Sequence, residues 1–190
     1  MESAEQQGDT IESEAQQGDT MDSAAQQGDI ERLYRLIEEN PRVLEEIDST
    51  PFVQTPLHIA ARKGHVEFAT EIMTLKPSFA WKLNPQGLRP VHLALEHGHT
   101  TMVLHLIQMD KELVRAKKRG GLTLFHLASK SGDINLLTQF LKACPDSVKD
   151  FTPRGETALQ LAETNNHTQV SFNSLCLSLW IYCCEGIMLK

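Results

Sequence analysis

The side chains best suited to chemistry in this chain of 190 residues are its eight histidines and four cysteines. His58, His92 and His126 recur at a constant interval of 34 residues. Imidazole nitrogens are common zinc ligands, so such a row raises the question of a metal site. Ligands of one zinc must each approach to about 2 Å, whereas packed helices stand about 8–10 Å apart. Equivalent positions on stacked helices therefore cannot share an ion, and the three histidines are read as structural residues that hydrogen-bond the preceding turn. His97-Gly98-His99 brackets a tight turn, and no metal is assigned to it. The cysteines, Cys144, Cys176, Cys183 and Cys184, form neither a CxxC pair nor a disulfide framework, and they read as reduced thiols. Cys144 falls at the end of an expected helix, where the dipole opposes thiolate formation. With no GxxxxGK[ST] or GxGxxG loop, the expectation is a protein without catalytic residues, cofactor or metal.

The elements that position these residues are repeats. Thr55-Pro56-Leu57-His58-Ile59-Ala60 returns as Arg89-Pro90-Val91-His92-Leu93-Ala94, as Thr123-Leu124-Phe125-His126-Leu127-Ala128 and as Thr157-Ala158-Leu159-Gln160-Leu161-Ala162. Gly64, Gly98, Gly132 and Asn166 follow at one fixed offset, and Gly87, Gly121 and Gly155 at another. Each copy then carries an apolar quartet at helical spacing: Phe68, Ala69, Ile72, Met73; Met102, Val103, Leu106, Ile107; Leu136, Leu137, Phe140, Leu141. Thr55 is placed to cap a first helix, Pro56 to occupy its first position and Gly64 to end it, before a second helix that stops near Pro77. A degenerate earlier copy has Ala24, Ala25 and Gly28 in its first helix and turn, then Ile30, Leu33, Leu36 and Ile37 in its second. Neither helix of a unit can bury its face alone, so the chain is expected to be an all-α solenoid of helix-turn-helix units with protruding loops.

TPLHxA followed by glycine at this period resembles the ankyrin-repeat signature. The expected units are 22–54, 55–88, 89–122 and 123–156, with a partial fifth over 157–170. More narrowly, Leu75-Lys76-Pro77-Ser78-Phe79-Ala80, Lys142-Ala143-Cys144-Pro145-Asp146-Ser147 and Gly120-Gly121-Leu122-Thr123 resemble plant ankyrin proteins of the accelerated-cell-death type. That resemblance implies innate-immune signalling at the plasma membrane, and a C-terminal membrane block that this sequence lacks. The fifth unit departs from the pattern at Gln160, at Asn166, and at Val170, Ser171, Ser174 and Leu175, where half the apolar face is lost. Residues 171–190 follow no repeat template. A truncated fragment that pairs with full-length membrane-anchored relatives is therefore the alternative to a self-sufficient adaptor.

Net charge is −7, with 25 acidic against 18 basic residues, which argues against nucleic acid as a partner. Glu2, Glu5, Asp9, Glu12, Glu14 and Asp19 fall in the first twenty residues, which contain no lysine or arginine. This segment repeats Gln-Gln-Gly-Asp with a period of ten, has little to bury, and is expected to be disordered. No secretory signal precedes it, and the longest apolar stretch, from Leu175 to Cys184, is too short for a membrane span. A cytoplasmic protein, at most peripheral at the plasma membrane through partners, is expected. Function is then sought on the surface. The loop tips carry Asn84, Gln86, Arg115, Lys117, Lys118, Arg119 and Arg154, which are the candidate contacts for a protein partner, and Trp81 and Phe151 stand near them as aromatic anchors or packing residues.

Overall fold

A computed structural model describes residues 20–167. The expectations for the acidic segment over 1–19 and for residues 168–190 lie outside that range. Within it the chain is all-α: ten α-helices and three short 3-10 helices, with an isolated bridge between Phe151 and Thr157.

The first helices of the units are α1 (Met21–Gln27), α4 (Pro56–Lys63), α6 (Pro90–Glu96), α8 (Leu124–Ser131) and α10 (Ala158–Thr164). The second helices are α2 (Ile30–Glu39), α5 (Val66–Leu75), α7 (Thr100–Met109) and α9 (Ile134–Ala143), and α3 (Val43–Ser49) follows α2. Helix α1 packs on α4, α4 on α6 and α8 on α10, while α5 packs on α7 and α7 on α9. All twelve residues of the three apolar quartets are buried, and Phe68, Phe125 and Phe140 are among the largest fully buried side chains. Burying such a side chain stabilises the fold by about 1.5–3 kcal/mol, and here it is reached by packing the two helices of a unit on each other and on those of the next.

Local sequence sets each helix boundary. The Thr55 hydroxyl accepts from the His58 amide while the His58 ring accepts from the Thr55 amide, and Thr123 with His126 repeats the arrangement. Both rings are buried in full. Gln160 replaces the histidine without loss of the cap, its Oε1 accepting from the Thr157 amide at 2.8 Å. Asn166, with φ of 62°, adopts the left-handed turn taken by Gly64, Gly98 and Gly132 elsewhere. The first half of the fifth unit is thus intact where the sequence pattern reads as defective, because asparagine tolerates that conformation and a glutamine amide can accept as imidazole does.

One element goes beyond the expected pattern. The second helix does stop before Pro77, but the chain then winds into a 3-10 helix, η1 (Pro77–Trp81), and does so again in η2 (Lys111–Arg115) and η3 (Pro145–Lys149). Proline fits the first position of such a turn; in the middle copy Lys111 stands there, and Asp110 caps the turn by accepting from the Glu112 amide at 3.0 Å. These turns carry polar bridges between units. Asp48 holds Lys76 at 3.2 Å and Lys82 at 3.3 Å and accepts from Ser78 at 2.9 Å. The Trp81 indole donates to Asp110 at 3.0 Å.

The loops between units stack as closely as the helices. Gly87 has φ of 77°, and a Cβ there would stand 2.3 Å from the Cβ of Arg119; at Gly121, with φ of 79°, it would stand 2.4 Å from Pro153. Gly155 has the same backbone conformation with nothing within 4 Å. Gly155→Ala should therefore cost only the left-handed strain, about 1 kcal/mol. Gly87→Ala adds a steric clash and should cost about 3 kcal/mol. Urea unfolding of the two variants measures the difference, and equal losses would mean that the loops are not packed on one another.

Candidate partner-binding surface

Each protruding loop is a four-residue turn closed by the backbone. Gly87 donates to the Asn84 carbonyl at 2.8 Å, Gly121 to Lys118 at 2.9 Å and Gly155 to Thr152 at 2.9 Å. The strand-like return closes the other side, with Asn84 donating to Leu88 at 2.9 Å, Lys118 to Leu122 at 3.0 Å and Thr152 to Glu156 at 2.9 Å. Adjacent turns are joined directly by the Arg119 amide, which donates to the Gly87 carbonyl at 2.7 Å. The result is a row of rigid fingers along one edge of the stack.

This geometry divides the candidate contacts. Asn84 is only 2% exposed, and its Oδ1 accepts from the amides of Gln86 and Leu88 at 3.1 and 2.9 Å. Its side chain forms the turn, since an asparagine at this position satisfies its own loop. Thr152 does the same in the third finger through its hydroxyl. Lys118 stands at the equivalent place, where an ammonium cannot accept, and it pairs instead with Glu96 at 3.3 Å. Arg115 is likewise engaged within the stack. It makes a two-pronged pair with Asp150, at 2.9 Å from Nε and 2.5 Å from Nη2, so its charge is committed to holding one unit on the next.

Gln86, Lys117, Arg119 and Arg154 remain exposed. Lys117 and Arg119 border a depression of about 690 Å³ whose other walls are Phe52, Leu83, Pro85, Gly87 and Lys118. Arg154 lines a second one with Leu122, Pro153 and Glu156. The residue that sequence reading missed is Phe52, which is 63% exposed at φ of 52°. It occupies the tip of the first finger, equivalent to Gln86, Gly120 and Arg154 in the later ones. A large apolar residue at a polar tip position was the available signal, and it was obscured because the first copy is degenerate. Trp81 belongs to the packing between units, with Arg89 5.7 Å above its ring. Phe151 is exposed.

The buried chemistry is structural. Because the Thr55 amide donates to Nδ1 of His58, the ring proton lies on Nε2, which donates to the Leu88 carbonyl of the next unit at 3.1 Å. Arg89 replaces the capping threonine ahead of His92, and neither ring nitrogen of His92 makes a hydrogen bond of standard geometry with any group among the described residues. Two further histidines bridge units from outside: Nε2 of His65 meets the Gln26 carbonyl and Nε2 of His99 the Arg62 carbonyl, each at 2.9 Å. The His97 and His99 rings are stacked 6.5 Å apart, and His97 Nδ1 is held by the Leu93 carbonyl at 3.0 Å. Among the described residues no cluster of three or more potential ligands could hold a metal, and no helix is long and apolar enough to cross a membrane. Cys144 is buried, and that burial, with the Glu112 charge beside it, pushes its thiol above the ordinary value.

Comparison with known proteins agrees with this architecture. A family model described as ankyrin repeats (3 copies) matches residues 21–117. A 59-residue stretch is 48% identical to the ankyrin repeat-containing protein BDA1 of Arabidopsis thaliana. The match covers 31% of this chain and 14% of that protein, so the chain spans about a seventh of the length of the relative.

The buried imidazoles make stability depend on pH. Burial pushes His58 down to about 4, against the opposing effect of the Leu88 and Lys82 backbone, and burial with the Arg89 and Lys118 charges pushes His92 down to about 3. Burial lowers His126 as well. Below the ordinary value of 6.5 the unfolded chain takes up protons that the folded chain refuses. Stability present above pH 6.5 should therefore fall toward pH 4, with a slope of about 1.4 kcal/mol per pH unit for each such histidine. Gln160 shows that glutamine preserves the cap, so His58→Gln should remain folded and remove about that much slope. Urea midpoints between pH 7 and 4 test this, and an unchanged slope would exclude His58 as a source.

Proposed function

The chain belongs to the ankyrin-repeat family, and from that premise we propose that it is a noncatalytic adaptor that captures a protein partner on its finger edge, in plant defence signalling. Stacked repeats of this kind form protein-interaction modules whose exposed positions, not their core, define the partner. The observation that carries the reading is the juxtaposition of Lys117 and Arg119 with exposed Phe52 and Pro85 and half-buried Leu83. Apolar surface surrounded by unspent positive charge fits an acidic segment with a large apolar side chain, since the apolar contact supplies affinity and the charge supplies steering. The defence setting is supported by the resemblance to accelerated-cell-death-type proteins and by the Arabidopsis relative. Catalysis has no support in the buried histidines or in the buried Cys144.

Reversing charge at Lys117 and Arg119 should lower partner capture by about tenfold or more, the usual cost of losing a contact worth 1.4 kcal/mol, without altering the circular dichroism spectrum. Arg115→Glu should instead lower the unfolding midpoint, because it breaks the pair with Asp150. Immobilised chain incubated with plant extract, followed by quantification of retained proteins at several salt concentrations, gives the comparison. Capture that is indifferent to both finger charges and to Phe52→Ala would sink the reading.

A further inference from the structure

The face just described has an occupant within its own chain. We infer that the acidic segment over residues 1–19 docks on the depression bordered by Phe52, Pro85, Lys117 and Arg119, and so competes with the partner. This inference rests on the proposed partner face and adds its regulation.

Three observations converge on it. The first is position. Helix α1 stands where α4, α6, α8 and α10 stand, packed on α4, and each of those later helices is entered directly from a finger. Gly28, at the far end of α1, lies against the His65 ring just as Gly64 lies against His99 and Gly132 against His167. The direction of α1 is therefore that of the other first helices, and Thr20 at its start lies on the finger edge. The segment that precedes Thr20 joins the stack beside the depression and not on the opposite side.

The second observation is reach. From α1 to α8 is three steps of about 10 Å, or about 30 Å. Nineteen extended residues span up to about 60 Å. Tethering at this length converts docking into an intramolecular event at an effective concentration near the millimolar range, so a weak contact is enough to populate it.

The third is charge. The segment carries Glu2, Glu5, Asp9, Glu12, Glu14 and Asp19 and no cation, while Arg115 and Lys118 are committed to Asp150 and Glu96. Lys117 and Arg119 are exposed and make no side-chain hydrogen bond or ion pair among the described residues. Ile11, with Asp9, Glu12 and Glu14 around it, supplies the apolar side chain that Phe52, Leu83 and Pro85 would cover.

Zero-length carbodiimide coupling of the full chain at low protein concentration tests the contact, because it joins an ammonium to a carboxylate only when the two are paired. Mass mapping of the monomer band should find Lys117 joined to a carboxylate of residues 1–19, and 0.5 M salt should abolish it. Links spread evenly over Lys63, Lys76 and Lys142, or found only between molecules, would overturn the inference. As a second readout, a full chain with Glu2, Glu5, Asp9, Glu12 and Glu14 changed to their amides should bind a fluorescent synthetic peptide of residues 1–19 more tightly than the native chain does. If the native segment occupies the face about four fifths of the time, the gain is about fivefold. Lys117→Gln with Arg119→Gln should remove the binding. Equal peptide affinity in the native and neutralised chains would overturn the inference too. If partner capture still depended on Lys117 and Arg119 in that case, the adaptor reading would stand without this regulation.

Discussion

A helix with one apolar stripe must cover it, and in this chain every unit does so against the next unit along. Phe68, Ala69, Ile72 and Met73 of α5 are buried between α4 of their own unit and the flanking second helices α2 and α7, and α7 is placed in the same way between α5 and α9. The constancy of the 34-residue interval follows from this constraint. A slip of one residue in any copy would rotate its quartet by about 100° away from its neighbour and expose it. Stability is accordingly distributed over the interfaces, and no single unit has a core of its own.

The polar groups reinforce those interfaces. The row of histidines that resembles a ligand set is a row of connectors: His58 ties its own cap to the Leu88 carbonyl of the following unit, and His65 and His99 reach back to the helix ends before them. His58 needs one tautomer to do so, and its burial disfavours the charged ring. Asp48, Asp110 and Asp150 make the corresponding links at the 3-10 turns, to lysine, indole and guanidinium respectively. With the helices and turns occupied in this way, the finger edge is where unpaired charge and uncovered aromatic surface lie side by side.

The relation between that edge and function is one of leftover capacity. Asn84 and Thr152 spend their side chains on their own turns, and Arg115 and Lys118 spend theirs on neighbouring carboxylates. Lys117, Arg119 and Phe52 spend theirs on nothing equivalent, so the free energy of satisfying them is available to whatever docks there. Rigid turns also mean that little ordering entropy is lost on binding.

The sequence alone determined the repeat, the helix pairs, the caps at Thr55 and Thr123, the turn glycines and the buried quartets, because each depends on residues within about one helical turn or on a periodicity visible in one dimension. It also placed the basic cluster on a loop. What it left open were relations between residues some thirty positions apart: that Arg115 faces Asp150, that Lys118 faces Glu96, that Asn84 turns inward, and that Phe52 of one finger shares a depression with Lys117 and Arg119 two fingers later. The 3-10 turns and the preserved half of the fifth unit were equally illegible, since a pattern records which residues change and not whether the replacement serves the same bond. Burial and pairing are properties of neighbours, and only the stack decides who the neighbours are.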